Sequence, residues 1–236
     1  MGTAFEDLAG RFDAWYDTTT GRALFDLEIA CIQPLLSDLG DHRLEVGVGS
    51  GRFAAALGIQ VGLDPVKAPL RLASGRGVAA VQGVGERLPF PDDTFSAVLL
   101  TTTLCFAADP AALLAEAGRV LQGDGRLVVG LIPADSAWGR RYQEQGRSGH
   151  PFYRLARFLT LEETERFLAD AGFIIAKACS ALTQPPERTF VGEEVHRGVV
   201  AGAGFVAIQA HVGQSSASGN ISPKKVAPLV FRKAPA

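Results

Sequence analysis

Across 236 residues the chain has only three cysteines, Cys31, Cys105 and Cys179. They are far apart and odd in number, which argues against a disulfide framework and fits a reducing compartment. Histidines are equally sparse: His42 and His150 fall in no metal-ligand spacing with Cys105 or Cys179, so no metal site is expected. A net charge of −2 leaves no electrostatic footprint for nucleic acid or an anionic membrane. The segment Met1-Gly2-Thr3-Ala4-Phe5-Glu6-Asp7 lacks the basic and apolar regions of a signal peptide, and Glu6 stands where a myristoylation pattern needs Ser or Thr. The most apolar late run, Val199 to Val212, is short, glycine-interrupted and carries Gln209, so it reads as strands and a turn. The expectation is a soluble cytoplasmic protein, monomer or homodimer, long enough to bury one α/β core.

Strand and helix signals alternate along most of the chain. Residues 5–16 and 21–36 read as helices, the second with a stripe of Leu24, Leu27, Ile32, Leu35 and Leu36. Apolar strands follow at 44–48, 60–63, 78–82, 97–101 and 126–132, separated by helices at 52–57, 66–73 and 110–121, with a turn at Gln122-Gly123-Asp124-Gly125. Thr160 and Glu163 form a capping box that opens a helix to Ala171, and strands follow at 173–179 and 205–211, the last antiparallel to its predecessor. This order predicts a doubly wound α/β fold: seven strands, mostly parallel, with helices on both faces. Residues 1–39 read as a helical cap, 133–159 as an insert after strand five, and 213–236, rich in Ser, Gly, Pro and Lys, as a flexible tail outside a single domain at 1–212.

The most informative segment is Glu45-Val46-Gly47-Val48-Gly49-Ser50-Gly51-Arg52, between strand one and the next helix. Glycines let the backbone turn tightly and approach a ligand at a helix N-terminus. Spacing then narrows the ligand. A dinucleotide fingerprint needs glycine at Arg52, a P-loop needs a Gly-Lys pair that the chain lacks, and a nucleophile elbow needs serine at Gly49. What remains is E-x-G-x-G-x-G, whose carboxylate suits a ligand with positive charge, such as an ammonium or sulfonium.

Asp64 closes strand two, 13 residues after Gly51, and is followed by Pro65. Its carboxylate can accept two hydrogen bonds from ribose hydroxyls, or it can cap the following helix with Pro65 in the first turn. At the end of strand three, the amide of Gly85 in Gly83-Val84-Gly85-Glu86 can meet the edge of an adenine ring.

These pieces together resemble the class I AdoMet-dependent methyltransferases, in the small-molecule branch known as type 11. The likeness spans residues 40–180 and rests on four motifs in order: the glycine run, Asp64, Gly83-Val84-Gly85-Glu86-Arg87-Leu88-Pro89-Phe90-Pro91-Asp92-Asp93-Thr94-Phe95, and Arg119-Val120-Leu121-Gln122-Gly123-Asp124-Gly125. It implies a Rossmann-like methyltransferase fold, S-adenosyl-L-methionine as cofactor, and in-line transfer of its methyl group to a small-molecule acceptor. The alternative is an AdoMet-binding regulatory module without transfer. The implied cofactor site comprises Glu45, Gly47, Gly49, Gly51, Asp64, Pro65, Gly85, Glu86, Thr102 and Tyr16. Many relatives carry Asp or Asn where Val84 stands, so base recognition here falls to the backbone or another residue. The sulfonium is a good leaving group, so positioning and water exclusion suffice and no catalytic residue is identified.

Substrate selection is expected from the N-terminal helices and the insert. Phe12, Trp15 and Tyr16 recur at helical spacing, as a packing stripe or as aromatic faces over the sulfonium. Arg140, Arg141, Arg147 and Arg154 interleave with Tyr142, Phe152 and Tyr153, either as solvated arginines or as a lining for an anionic or aromatic acceptor. Thr103, Trp138, Tyr142, Phe152 and Tyr153 are the candidate acceptor residues.

Overall fold

A computed structural model describes residues 2–187, 193–213 and 231–232. Helices α1 (Gly2–Asp7), α2 (Ala9–Trp15) and α3 (Thr19–Leu36) come first. The single helix expected at 5–16 is interrupted at Leu8, whose backbone leaves helical geometry just ahead of the poor helix former Gly10. Thr18 starts α3 by accepting the Gly21 amide on its side chain.

Strands β1 (Arg43–Val46), β2 (Val61–Asp64), β3 (Ala79–Gln82), β4 (Phe95–Thr101) and β5 (Leu121–Leu131) then alternate with α4 (Arg52–Leu57), α5 (Lys67–Gly75) and α6 (Pro110–Val120). All five pair in parallel. After α7 (Ala137–Arg147) and α8 (Leu161–Asp170) come β6 (Phe173–Ala181), β7 (His196–Arg197), β8 (Val199–Val200) and β9 (Phe205–Val212). The sheet order is β3-β2-β1-β4-β5-β9-β6-β7, with β9 antiparallel to both β5 and β6. The two-residue β7 makes the sheet eight-stranded rather than seven, a pairing too short to leave a periodic signal. β8 pairs with β10 (Phe231–Arg232) in a separate ribbon. Most of the tail predicted from residue 213 onward lies outside the described residues.

The fold class is the one expected, and the burial pattern explains it. Along β4, Val98 and Leu100 face a core shared with Leu113, Leu114 and Ala117 of α6 and Leu168 of α8. Ala97 and Leu99 face the opposite core, with Ile32 and Leu36 of α3, Ala54 of α4 and Ala73 of α5. Apolar residues at every position of a strand are what burial on both faces demands. The turn expected at 122–125 is instead an irregularity within β5: pairing runs from Phe95 with Leu121 to Ala97 with Arg126, leaving the glycine-rich residues between them out of register. The Thr160–Glu163 capping box and the Asp109 cap before Pro110 form as read from the sequence. Strand order reverses between β1 and β4, so their carboxyl ends open a crevice there.

Candidate functional site

The crevice is a cavity of about 330 Å³, within the range of small-molecule sites. Its floor is the glycine loop. The amides of Gly47 and Val48 both donate to the Leu63 carbonyl, at 2.7 and 3.0 Å, which pins β1 to β2 as the chain turns. Gly47 has φ +74°, and a Cβ there would stand 2.5 Å from Thr103 Oγ1. Thr103 Oγ1 in turn donates to the Val46 carbonyl at 2.9 Å, so strand ends β1 and β4 are locked together at this residue. Gly51 does not line the cavity. It starts α4 with φ +77°, and a Cβ would meet the Ala73 backbone at 2.8 Å, so helix packing accounts for this glycine.

Asp64 uses both carboxylate oxygens on the backbone: Oδ2 accepts the Gly49 amide at 3.0 Å and Oδ1 the Val66 amide at 2.9 Å. Helix α5 begins only at Lys67, and its cap residue Val66 has no side-chain partner. The helix-capping alternative for Asp64 and the first-turn position for Pro65 therefore do not hold; Asp64 instead staples the glycine loop to the end of β2. Burial raises its pKa, partly offset by those two amides.

Glu45 is 2 % exposed and lines the cavity, and its Oε2 has no hydrogen-bond partner among the described residues. Burial pushes its carboxyl up to about 8. An uncompensated buried carboxylate beside an open apolar cavity is costly unless a ligand supplies the missing charge. Thr101 Oγ1, also at the cavity, is likewise unpartnered. Thr102 joins them at the end of β4 with φ +51°, a conformation a β-branched side chain rarely adopts.

Tyr16, Pro65, Gly85 and Glu86 complete the cavity lining expected from the sequence, with Val84 beside them, 44 % exposed. Glu86 Oε1 accepts the Ala108 amide at 2.9 Å and so ties this loop to the one before α6. Of the candidate acceptor residues only Thr103 reaches the cavity. Phe152 packs behind the wall, its ring 5.0 Å from Phe5 and 4.8 Å from Phe12, while Trp138 and Tyr142 are buried in the core beneath α3. Tyr153 stacks with that group, 4.5 Å from Tyr142. Arg140, Arg141, Arg147 and Arg154 are exposed and none lines the cavity.

The roof comes from the N-terminal helices, where Phe12 and Tyr16 line the cavity and Trp15 does not. Phe5 and Ala9 join them, and Arg52, which breaks the dinucleotide fingerprint, lines it too; no sequence motif marks these three as cavity residues. The partners of Arg52 are Asp13 and Asp17, 39 and 35 residues earlier, a separation at which no local pattern announces a pairing.

A Rossmann-like sheet whose switch-point cavity is floored by a glycine loop and two buried carboxyls, Glu45 and Asp64, defines a nucleotide-type cofactor site. The chain belongs to the class I AdoMet-dependent methyltransferases, type 11 branch. Residues 44–129 match the type 11 methyltransferase domain family. A SAM-dependent methyltransferase of Thermotoga maritima is 33 % identical with a TM-score of 0.81, covering 88 % of this chain and 97 % of that one. An uncharacterized protein of Mycobacterium tuberculosis H37Rv is 45 % identical over 203 residues, 86 % of this chain and 71 % of its own. Another, from Methanocaldococcus jannaschii, is 34 % identical over 206 residues, 87 % of this chain and 97 % of its own. Membership implies AdoMet as the cofactor. No helix among the described residues is long and apolar enough to cross a membrane.

Proposed function

We propose that this protein transfers the AdoMet methyl group to a small-molecule acceptor by in-line displacement, residues 1–212 acting as one methyltransferase unit. The observation that carries the reading is the orphaned Oε2 of buried Glu45 in the cavity floor. It fits a cofactor with an ammonium group, which gives the carboxylate the partner the chain withholds. Asp64, held at the end of β2, faces the same cavity and is the candidate for ribose hydroxyls. Val84 has no polar atom on its side chain, so the Gly85 amide is the candidate for the adenine edge.

When bound, the cofactor supplies an activated methyl group on a sulfonium. The chain's part is to orient and to keep water out. Phe5, Phe12 and Tyr16 line the cavity with aromatic side chains, where they exclude solvent. Just past the end of β4, Thr103 lines this cavity and Thr102 lines both it and a small recess formed with Cys105, Ile132, Phe158 and Thr164. The Thermotoga relative is described as a possible histamine N-methyltransferase, which supports a small acceptor here too.

Calorimetric titration with S-adenosylhomocysteine, AdoMet and NADH tests the cofactor assignment, and turnover of methyl-labelled AdoMet against a metabolite panel tests transfer. Binding of S-adenosylhomocysteine together with label incorporation supports the reading. Binding of NADH in its place overturns it, and cofactor binding with no acceptor in the panel favours a binding module.

A further inference from the structure

Arg52 is the only cation among the described residues that line the cofactor cavity, and two carboxylates of the N-terminal segment already hold it. Its Nε and Nη2 donate to Asp13, while Nη1 and Nη2 donate to Asp17 Oδ1 and Oδ2 at 3.0 and 2.9 Å. Both edges of the guanidinium are therefore taken, which leaves a single N–H on Nη1. The guanidinium carbon sits 5.6 Å from the centre of the Tyr16 ring, which lines the same cavity. Arg76, 2.9 Å from Asp13, balances the second carboxylate of the group.

The two edges differ in what it costs to open them. The Asp13 side chain is 14 % exposed and also holds Arg76, so its withdrawal would strip two largely buried cations of their partner. The Asp17 side chain is 57 % exposed, lies in the joint between α2 and α3, and has Arg22 at 4.0 Å as an alternative partner. An exposed carboxylate regains water when it lets go, so its ion pair contributes little. Hydrogen bonds from Arg52 hold the Asp17 carboxyl below its usual range, so it is ionised and occupies its edge as an anion. The Nη1–Nη2 edge of Arg52 is thus the one that an incoming anion can take.

AdoMet ends in an amino acid, with a carboxylate beside the ammonium group assigned above to Glu45. We propose that Arg52 receives this carboxylate on its Nη1–Nη2 edge, and that Asp17 is a built-in competitor that must leave that edge for the cofactor to bind. This rests on the AdoMet reading and deepens it to a selection device. The exchange keeps Arg52 paired with and without ligand, so a largely buried guanidinium is never left bare. A ligand that brings a two-oxygen anion matches the fork that Asp17 gives up, and a ligand without one leaves Asp17 in place. Loading accordingly frees the α2–α3 joint at Asp17, while Asp13 keeps the roof tied to Arg52 and Arg76.

The test is calorimetric titration with S-adenosylhomocysteine and with its decarboxylated analogue, S-adenosyl-3-thiopropylamine, which keeps the ammonium. Wild type is expected to prefer S-adenosylhomocysteine at least tenfold. Arg52→Gln is expected to lose that preference to within twofold; as a ratio within one protein, it is insensitive to a general loosening of the roof. Asp17→Ala is expected to bind S-adenosylhomocysteine at least threefold more tightly than wild type, with its affinity for the analogue within twofold. A merely structural role for Asp17 would not produce that gain. Equal or weaker S-adenosylhomocysteine binding by Asp17→Ala, or an undiminished preference in Arg52→Gln, overturns the proposal. Should Arg52→Gln fail to fold, the titrations of Asp17→Ala decide alone. Failure of the wild type to bind S-adenosylhomocysteine overturns the cofactor reading instead, and with it the basis of the proposal.

Discussion

Asp13 and Arg52 form a two-point ion pair, Nε to Oδ1 at 2.7 Å and Nη2 to Oδ2 at 3.1 Å, with both side chains largely buried. The same Asp13 Oδ2 receives Arg76 Nη2 at 2.9 Å, and Arg76 Nη1 donates to the Ser50 carbonyl at 2.8 Å. One carboxylate on α2 therefore binds the roof to the first residue of α4, to the end of α5 and, through Arg76, to the glycine loop. Asp13→Ala is expected to lower stability by about 1.5–3 kcal/mol, the range for hydrogen bonds to charged groups. It should also speed release of S-adenosylhomocysteine, since the roof loses its tie.

The pH dependence of that loss has a definite sign. Burial pushes the Asp13 carboxyl up, but hydrogen bonds from Arg52, Ser50 and Arg76 bring it down to about 2. A depressed folded-state pKa gives stability that is present above the unfolded value near 4 and lost as pH falls through the folded one. The gap in melting temperature between wild type and Asp13→Ala should be full above pH 5 and close as pH approaches 2. A gap that is constant with pH would place the effect in packing.

Gly47 and Gly49 separate steric from conformational demands. Both have positive φ, +74° and +51°, but a Cβ on Gly47 would strike Thr103 at 2.5 Å whereas one on Gly49 would meet nothing within 4 Å. Gly47→Ala should cost clearly more than the roughly 1 kcal/mol expected of Gly49→Ala, which bears left-handed strain alone. The double variant Gly47→Ala, Thr103→Ala should recover part of the difference. Thermal melts of the four proteins check this, and equal losses at Gly47 and Gly49 would remove the steric account.

What could be read from the sequence divides along a physical line. Glu45, Gly47, Asp64 and Gly85 were legible because each sits at the end of a strand, where a local motif fixes both backbone and side chain. Gly51 looked like a third ligand glycine, yet its glycine is required by Ala73, a contact between two helices that spacing does not encode. Trp138, Tyr142 and Phe152 were read as candidate acceptor residues from composition alone, whereas the fold buries Trp138 and Tyr142 of α7 in the core shared with α3 and packs Phe152 on Phe5 and Phe12. Glu28 left no trace at all: a single acid on an amphipathic helix reads as solvated until the fold buries it, here to 7 % exposure.

Asp64→Asn tests whether Asp64 acts through the loop as well as through the ligand. Asparagine has one acceptor oxygen in place of two, so either the Gly49 or the Val66 amide is left unpaired. A loss of about 1–3 kcal/mol is expected in the apo protein, together with weaker S-adenosylhomocysteine binding. Unchanged apo stability would mean that the staple contributes little and that the residue matters only to the ligand.

Glu45 predicts proton release on cofactor binding. Its folded-state pKa of about 8 lies above the unfolded value near 4.3, so the folded apo protein holds a proton that the unfolded chain has lost across that window. Apo stability therefore falls as pH rises from about 4.5 towards 8, and Glu28, raised to about 8 by burial, adds in the same direction. Glu45→Gln should flatten this slope, and the double variant with Glu28→Gln should flatten it further. An arriving ammonium favours the ionised carboxylate, so titration of wild type with AdoMet at pH 6.5 should expel up to one proton, read from the dependence of binding enthalpy on buffer ionisation enthalpy. Glu45→Gln should bind more weakly and release none. Equal proton release by both proteins would assign the titrating group elsewhere and sever Glu45 from the cofactor.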